Sequence, residues 1–136
     1  MGMYKNLYMQ YMDIEGIKYT NQDGERVRVS YSGDNKDSIP VYVIFDKDGE
    51  GLVTMYCWSI AKFPEEKKPL AYKICNDLND QYRWVKFYLD KDSEIAAQLD
   101  AYIYPDSCGE ECANLVRRIV NIVDDTYPTF MKALWS

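Results

Sequence analysis

A chain of 136 residues is long enough for one proper hydrophobic core and is read as a single domain over residues 1–136. With 47% hydrophobic and 28% charged residues it has the balance of a globular protein rather than of a disordered one. A net charge of −6 argues against nucleic acid and anionic membrane surfaces as partners.

Residues 3–14 place Tyr4, Leu7, Tyr8, Tyr11 and Met12 on one face of a predicted amphipathic helix, which Gly16 ends. From Ile17 the period changes to two. Ile17 and Tyr19, and after NQDGE (21–25) Val27, Val29 and Tyr31, alternate with polar neighbours as strand, turn, strand. SGDNKDS (32–38) reads as a polar loop. IPVYVIF (39–45) and LVTMYCWSI (52–60) then flank DKDGEG as two further strands. Both are apolar on two sides, which predicts cover on both faces, by this chain's helices or by a second subunit.

AKFPEEKKP (61–69) announces a helix running from about residue 65 or 69 to about Asp80, with Pro69 in its first turn. Glu65 and Glu66 complement the dipole there, and Leu70, Ala71, Ile74, Cys75 and Leu78 recur at helical spacing. WVKFYL (84–89) and EIAAQLDAYIY (94–104) are the last two strands, joined by DKDS. Val85, Phe87 and Leu89 share one face, as do Ile95, Ala97, Leu99, Ala101 and Ile103. SCGE (107–110) reads as a capping box, with Ser107 bonding the third helical amide. The helix behind it turns Cys112, Leu115, Val116, Ile119, Val120, Val123 and Tyr127 inward, and Pro128 is expected to kink or interrupt it. The order is α-β-β-β-β-α-β-β-α, an α+β fold with a twisted antiparallel sheet.

The acidic clusters NQDGE, DKDGE (46–50) and DKDSE (90–94) raise the question of calcium. An EF-hand loop needs Gly at position 6 and a bidentate Glu at position 12. Counted from Asp46, Asp48, Glu50 and Gly51 fall correctly, but position 12 is Cys57. Counted from Asp90 those positions are Ile95 and Ala101; from Asn21 they are Arg26 and Ser32. Hairpin turns explain the same residues, since Asp and Asn cap their own turns and Gly supplies a positive φ. No metal site is expected, beyond weak cation contact at Asp46, Asp48 and Glu50.

Without histidine, the commonest general base and any Ser-His or Cys-His dyad are missing. Cys108 and Cys112 lie four apart at a helix N-terminus, where a thiol pKa can be lowered, so a thiol-based redox protein or small enzyme is the alternative function. The simpler reading makes Cys112 core and Cys108 partly buried. Cys57 and Cys75 complete no zinc site. Asp124 and Asp125 are adjacent on the helix and read as a solvated face rather than an acid–base pair. Glycine-rich phosphate loops are absent, and Lys67-Lys68 is too short for a nucleic-acid patch. No catalytic residue and no cofactor are expected. The start of the chain lacks a secretory pattern and no apolar run reaches about 20 residues. A cytoplasmic location with reduced cysteines is the expectation.

KICNDLNDQYRWVKFYLDKDSEIAAQLDAYIY followed by SCGEECANLVRRIVNIVDDTYPTFMKAL resembles the YbjN-like family of bacterial sensory transduction regulators. The shared features are an N-x-L-N helix end, a W-V-K-F-Y-L-D strand, an acidic turn and a helix ending D-x-x-Y-P. The match is detailed over residues 70–134 and coarser over 1–60, where 17–20 would be an extra short strand. The resemblance implies a fold like that of type III secretion chaperones, α-β-β-β-α-β-β-α, and a non-catalytic adaptor that forms a homodimer. It would bind a protein partner, as an extended segment on a sheet edge or apolar groove, with strands 39–45 and 52–60 the first place to look.

Overall fold

The computed structural model describes residues 2–136. Helix α1, Met3–Glu15, stops where Gly16 takes φ 70, and the Gly16 and Ile17 amides close back onto Asp13 and Met12. Six strands follow: β1 Thr20–Asn21, β2 Arg26–Tyr31, β3 Ile39–Phe45, β4 Leu52–Cys57, β5 Lys86–Leu89 and β6 Ile95–Tyr102. They form one antiparallel sheet in the order β1-β2-β3-β4-β6-β5. Between β4 and β5 a 3-10 turn, Glu65–Lys67, leads into α2, Lys68–Gln81, with Pro69 in the first turn. Helix α3, Cys108–Trp135, closes the order.

The fold is α+β with the expected element order, and the differences lie at element ends. Ile17 and Tyr19 stay outside β1, which is only two residues long. β4 ends at Cys57 rather than residue 60 because Ser59 turns to φ 58; Ile60 and Ala61 then bond Ile95 at the start of β6. β5 begins at Lys86 rather than 84 because Trp84 sits at φ 74. Of the residues at helical spacing in α2, Leu70 is exposed while Ala71, Cys75 and Leu78 are buried. Ser107 makes no capping bond; its hydroxyl donates to Glu111 instead.

Alternation puts Val27, Val29, Val41, Val43, Val53, Met55, Leu99 and Phe87 on one sheet face, and all three helices pack there. Fully burying each such side chain contributes about 1.5–3 kcal/mol. Phe130 of α3 sits at the centre, its ring centroid 5.6 Å from that of Phe87 and 6.3 Å from that of Phe63. α1 lies close on α3: a Cβ at Gly109 would stand 2.3 Å from the Tyr11 Cβ, so only glycine admits this approach.

Pro128 lies inside α3 without interrupting it. Proline leaves the carbonyl four residues back without its helical donor. That carbonyl belongs to Asp124, and Asn35 Nδ2 donates to it at 3.1 Å. The Asp124 carboxylate meanwhile accepts the backbone amides of Asp34, Asn35 and Lys36 at 3.0, 2.8 and 2.9 Å. Gly33 makes room, since a Cβ there would fall 2.1 Å from Asp124 Oδ1. Lys36 Nζ lies 5.4 Å from the Tyr127 ring centroid. The 32–38 loop is thus strapped to α3 where the helix needs a substitute donor.

Candidate docking surface on the open sheet face

The helices leave the second sheet face bare. In β2 the sequence RVRV sends Val27 and Val29 inward, and therefore Arg26 and Arg28 outward. Register aligns Arg28 with Tyr42, Tyr42 with Tyr56, Tyr56 with Gln98 and Gln98 with Lys86, a single rung across five strands. The next rung pairs Arg26 with Ile44, Ile44 with Thr54 and Thr54 with Asp100. Trp58, just past β4, joins the aromatic rings. Its centroid is 4.8 Å from that of Tyr56, stacked at 21°, and 4.7 Å from that of Tyr42.

Two arginines complete the platform. The Arg26 guanidinium lies 5.7 Å from the ring centroids of both Tyr42 and Trp58, and that of Arg28 lies 5.9 Å from Tyr42. The ion pairs among the described residues are Lys68–Glu65 and Lys73–Asp77, so neither arginine has a carboxylate within 4.0 Å. Tyr42, Tyr56 and Trp58 are half-buried, and Tyr88 on the same face is exposed. Flat rings with polar tips beside unneutralised guanidinium groups suit a partner with apolar and acidic side chains.

Within the chain, strands 39–45 and 52–57 therefore have one face under helices and one that no described helix covers, so cover on that second face would have to come from another molecule. The apolar strands point to this region in the sequence, and the RVRV alternation of β2 is the signal that places Arg26 and Arg28 on the face opposite the valines.

The sheet edges are less open. Asn79, the last residue of the N-x-L-N segment, meets the outer edge of β5 with its side-chain amide. It accepts the Phe87 amide at 2.7 Å and donates to the Phe87 carbonyl at 3.0 Å, as a neighbouring strand would. Lys86 Nζ ties the same place to the carbonyls of Asn79 and Tyr82. At the other edge, Lys5 holds the β1–β2 turn through the carbonyls of Gln22 and Gly24, both at 2.6 Å.

The three acidic clusters are hairpin turns, joining β1 to β2, β3 to β4 and β5 to β6. Gly24, Gly49 and Ser93 supply positive φ in them, and Asp90 Oδ1 accepts the amides of Asp92 and Glu94 at 2.9 and 3.0 Å. Asp124 is not part of a solvated pair with Asp125. Although burial pushes its carboxyl up, three amide bonds outweigh that and hold it below the ordinary value.

All four cysteines are free and buried, including Cys108, which was expected to be only partly so. Cys108 donates to the Tyr4 carbonyl at 3.5 Å. The hydrogen bond between the Cys108 and Cys112 thiols, and then burial, raise Cys112 far above the ordinary thiol range. Burial pushes Cys57 and Cys75 up to about 11. The same contact with Cys112 lowers the Cys108 thiol against the opposing effects of burial and Glu111, but all four sulfurs are closed off from solvent, which makes them poor nucleophiles.

A family model described as "YbjN: Putative bacterial sensory transduction regulator" matches residues 10–132. Among solved structures, the fold is similar to that of YbjN from E. coli, titled a "putative transcription regulator". The two share 9% identity over 92% of each chain, with a TM-score of 0.65. It is also similar to the Yersinia pestis type III secretion chaperone SycH in complex with a stable fragment of YscM2: 14% identity, 93% of this chain and 98% of the other, TM-score 0.60. An uncharacterized protein from Methanothermobacter thermautotrophicus matches 93% of this chain and 99% of its own at 10% identity, with a TM-score of 0.51. No curated protein matches by sequence. The chain belongs to the YbjN family.

Proposed function

We propose that this YbjN-family chain is a non-catalytic interaction module, a regulator or chaperone-like adaptor that receives an extended segment of a partner protein. The observation that carries the proposal is the open sheet face, where Tyr42, Tyr56 and Trp58 stack beside Arg26 and Arg28 with no helix or strand of the described residues above them. A partner side chain of apolar character would lie on the rings, and an acidic one would meet the guanidinium pair. The face is favoured over a sheet edge because Asn79 already occupies the β5 edge at Phe87. SycH, of similar fold, was solved with a fragment of YscM2, which supports a protein rather than a small substrate as the partner class. The buried thiols of Cys108 and Cys112 weigh against the redox alternative. A cytoplasmic setting is part of the proposal; none of the helices among the described residues is long and apolar enough to cross a membrane.

A homodimer belongs to the same reading, with the chaperone-like fold as its support. A stable dimer should bury more than roughly 1,000 Å² in total, and sedimentation of the purified chain tests it. If Arg28→Glu turns a dimer into monomers, the sheet face pairs two copies and does not receive a separate protein. The proposal as a whole is tested by affinity purification of the wild type and of a Tyr56→Ser/Arg28→Glu variant, followed by mass spectrometry. A partner retained by the wild type and lost by the variant is expected. Equal recovery by both would refute the assigned surface.

A further inference from the structure

Five arginines occur in the chain, and three of them, Arg83, Arg117 and Arg118, line one cleft. It lies where the end of α2 faces the middle of α3, holds about 680 Å³, and has side-chain amides from Gln81, Asn114 and Asn121 in its wall. Asn114, Arg117, Arg118 and Asn121 recur at helical spacing, so one stripe of α3 supplies most of it. No Asp or Glu lines this cleft, although the chain carries 22 acidic residues against 16 basic ones. Among the described residues none of the three guanidinium groups has a carboxylate within 4.0 Å, and Arg117 donates instead to the Asn114 side-chain oxygen. A cluster of planar, unneutralised forks is the chemistry that recognises phosphate.

Arg118 is shared with a second hollow of about 230 Å³, whose wall includes Trp84, Ala101, Tyr102 and Leu115. The acidic residue in that wall, Glu111, is engaged by the Ser107 hydroxyl. The Arg118 guanidinium lies 6.0 Å from the Trp84 ring centroid. Trp84 is 54% exposed and sits at φ 74, a conformation that bulky residues rarely adopt. That turn takes the chain out of line with β5, which pairs β6 only through Ile95–Gln98. The remainder of β6, including Ala101 and Tyr102, thus has a strand on its β4 side alone. An apolar, aromatic hollow and a polar, cationic cleft meet at one arginine.

We propose that these two hollows together bind a small phosphorylated ligand carrying a planar ring, the chemistry of a nucleoside monophosphate. The phosphate lies among Arg83, Arg117 and Arg118, and the ring lies in the hollow walled by Trp84, Ala101 and Leu115. The site lies on the helical side of the sheet, away from the open face, so either assignment can fail without the other.

Calorimetric titration of the full chain with adenosine and uridine monophosphate tests it, with inorganic phosphate and the free nucleosides as separate arms. Tryptophan fluorescence is followed in parallel. At least one nucleotide should bind, more tightly than phosphate or the matching nucleoside, and alter the tryptophan emission. Arg118→Ser and Arg83→Ser, surface changes that leave thermal unfolding in place, should each weaken binding about tenfold or more. Trp84→Phe, which narrows the stacking surface offered to the ring, should weaken nucleotide binding and reduce the fluorescence response. Absence of heat with both nucleotides at millimolar concentration overturns the proposal. So does unchanged affinity in the arginine variants, or phosphate binding as tightly as nucleotide. Tighter binding of a short oligoribonucleotide than of its monomer would reassign the site to a strand of RNA.

Discussion

Asp124 organises its surroundings: three loop amides satisfy its carboxylate, and its own carbonyl, which Pro128 leaves without a helical donor, accepts from the Asn35 side chain. Its carboxyl is held below the ordinary 3.8, so the stabilisation is fully present above that pH and is lost as pH falls through the lower folded value. Chemical denaturation of wild type and Asp124→Ala should show the variant less stable at neutral pH and the gap narrowing in acid; a gap independent of pH would deny the carboxylate this part. The cysteines give a second test at this scale. Because all four are buried, thiol titration of the native chain at neutral pH should be slow and become complete only on adding denaturant. Fast alkylation of Cys108 in the native state would revive the redox reading. Helical spacing made Cys75 and Cys112 legible as core residues, whereas Cys108 read as only partly buried. The sequence hid the role of Asp124, because a contact between residues 34–36 and 124 leaves no local pattern.

Elements were legible where periodicity is strong and illegible where a single backbone angle decides. The valine alternation of β2 and the stripe of α3 could be read directly. The early end of β4 at Ser59 and the late start of β5 after Trp84 could not, since a positive φ at Ser or Trp contradicts local preference and is imposed by tertiary packing. Asn79 was visible as part of a motif but not as a surrogate strand. Replacing it by alanine should cost about 1–3 kcal/mol, since two main-chain groups of Phe87 lose their partners. Urea unfolding measures this, and an unchanged midpoint would contradict it. At the α1–α3 contact, Gly109→Val should destabilise by about 1–3 kcal/mol or more by driving the helices apart. The same measurement at an exposed site such as Glu110 should show little change.

For the whole molecule, fold class and element order followed from composition and pattern, and the turn reading of the acidic clusters followed from where glycine and glutamate fall. What pattern could not supply is which face of a two-sided apolar strand is left bare, because cover depends on how three helices distribute over one sheet. Here all three take the same side, and the acidic chain is left with an aromatic and cationic surface on the other. That asymmetry is the physical basis for assigning recognition rather than catalysis. Site-specific photo-crosslinking in the native cell tests it most directly, with the crosslinker placed at Tyr56 on the open face or at exposed Tyr72 on α2. The account predicts one recurring protein adduct from position 56, suppressed by Arg28→Glu, and none of that protein from position 72. Adducts arising from position 72 while position 56 stays silent would contradict it.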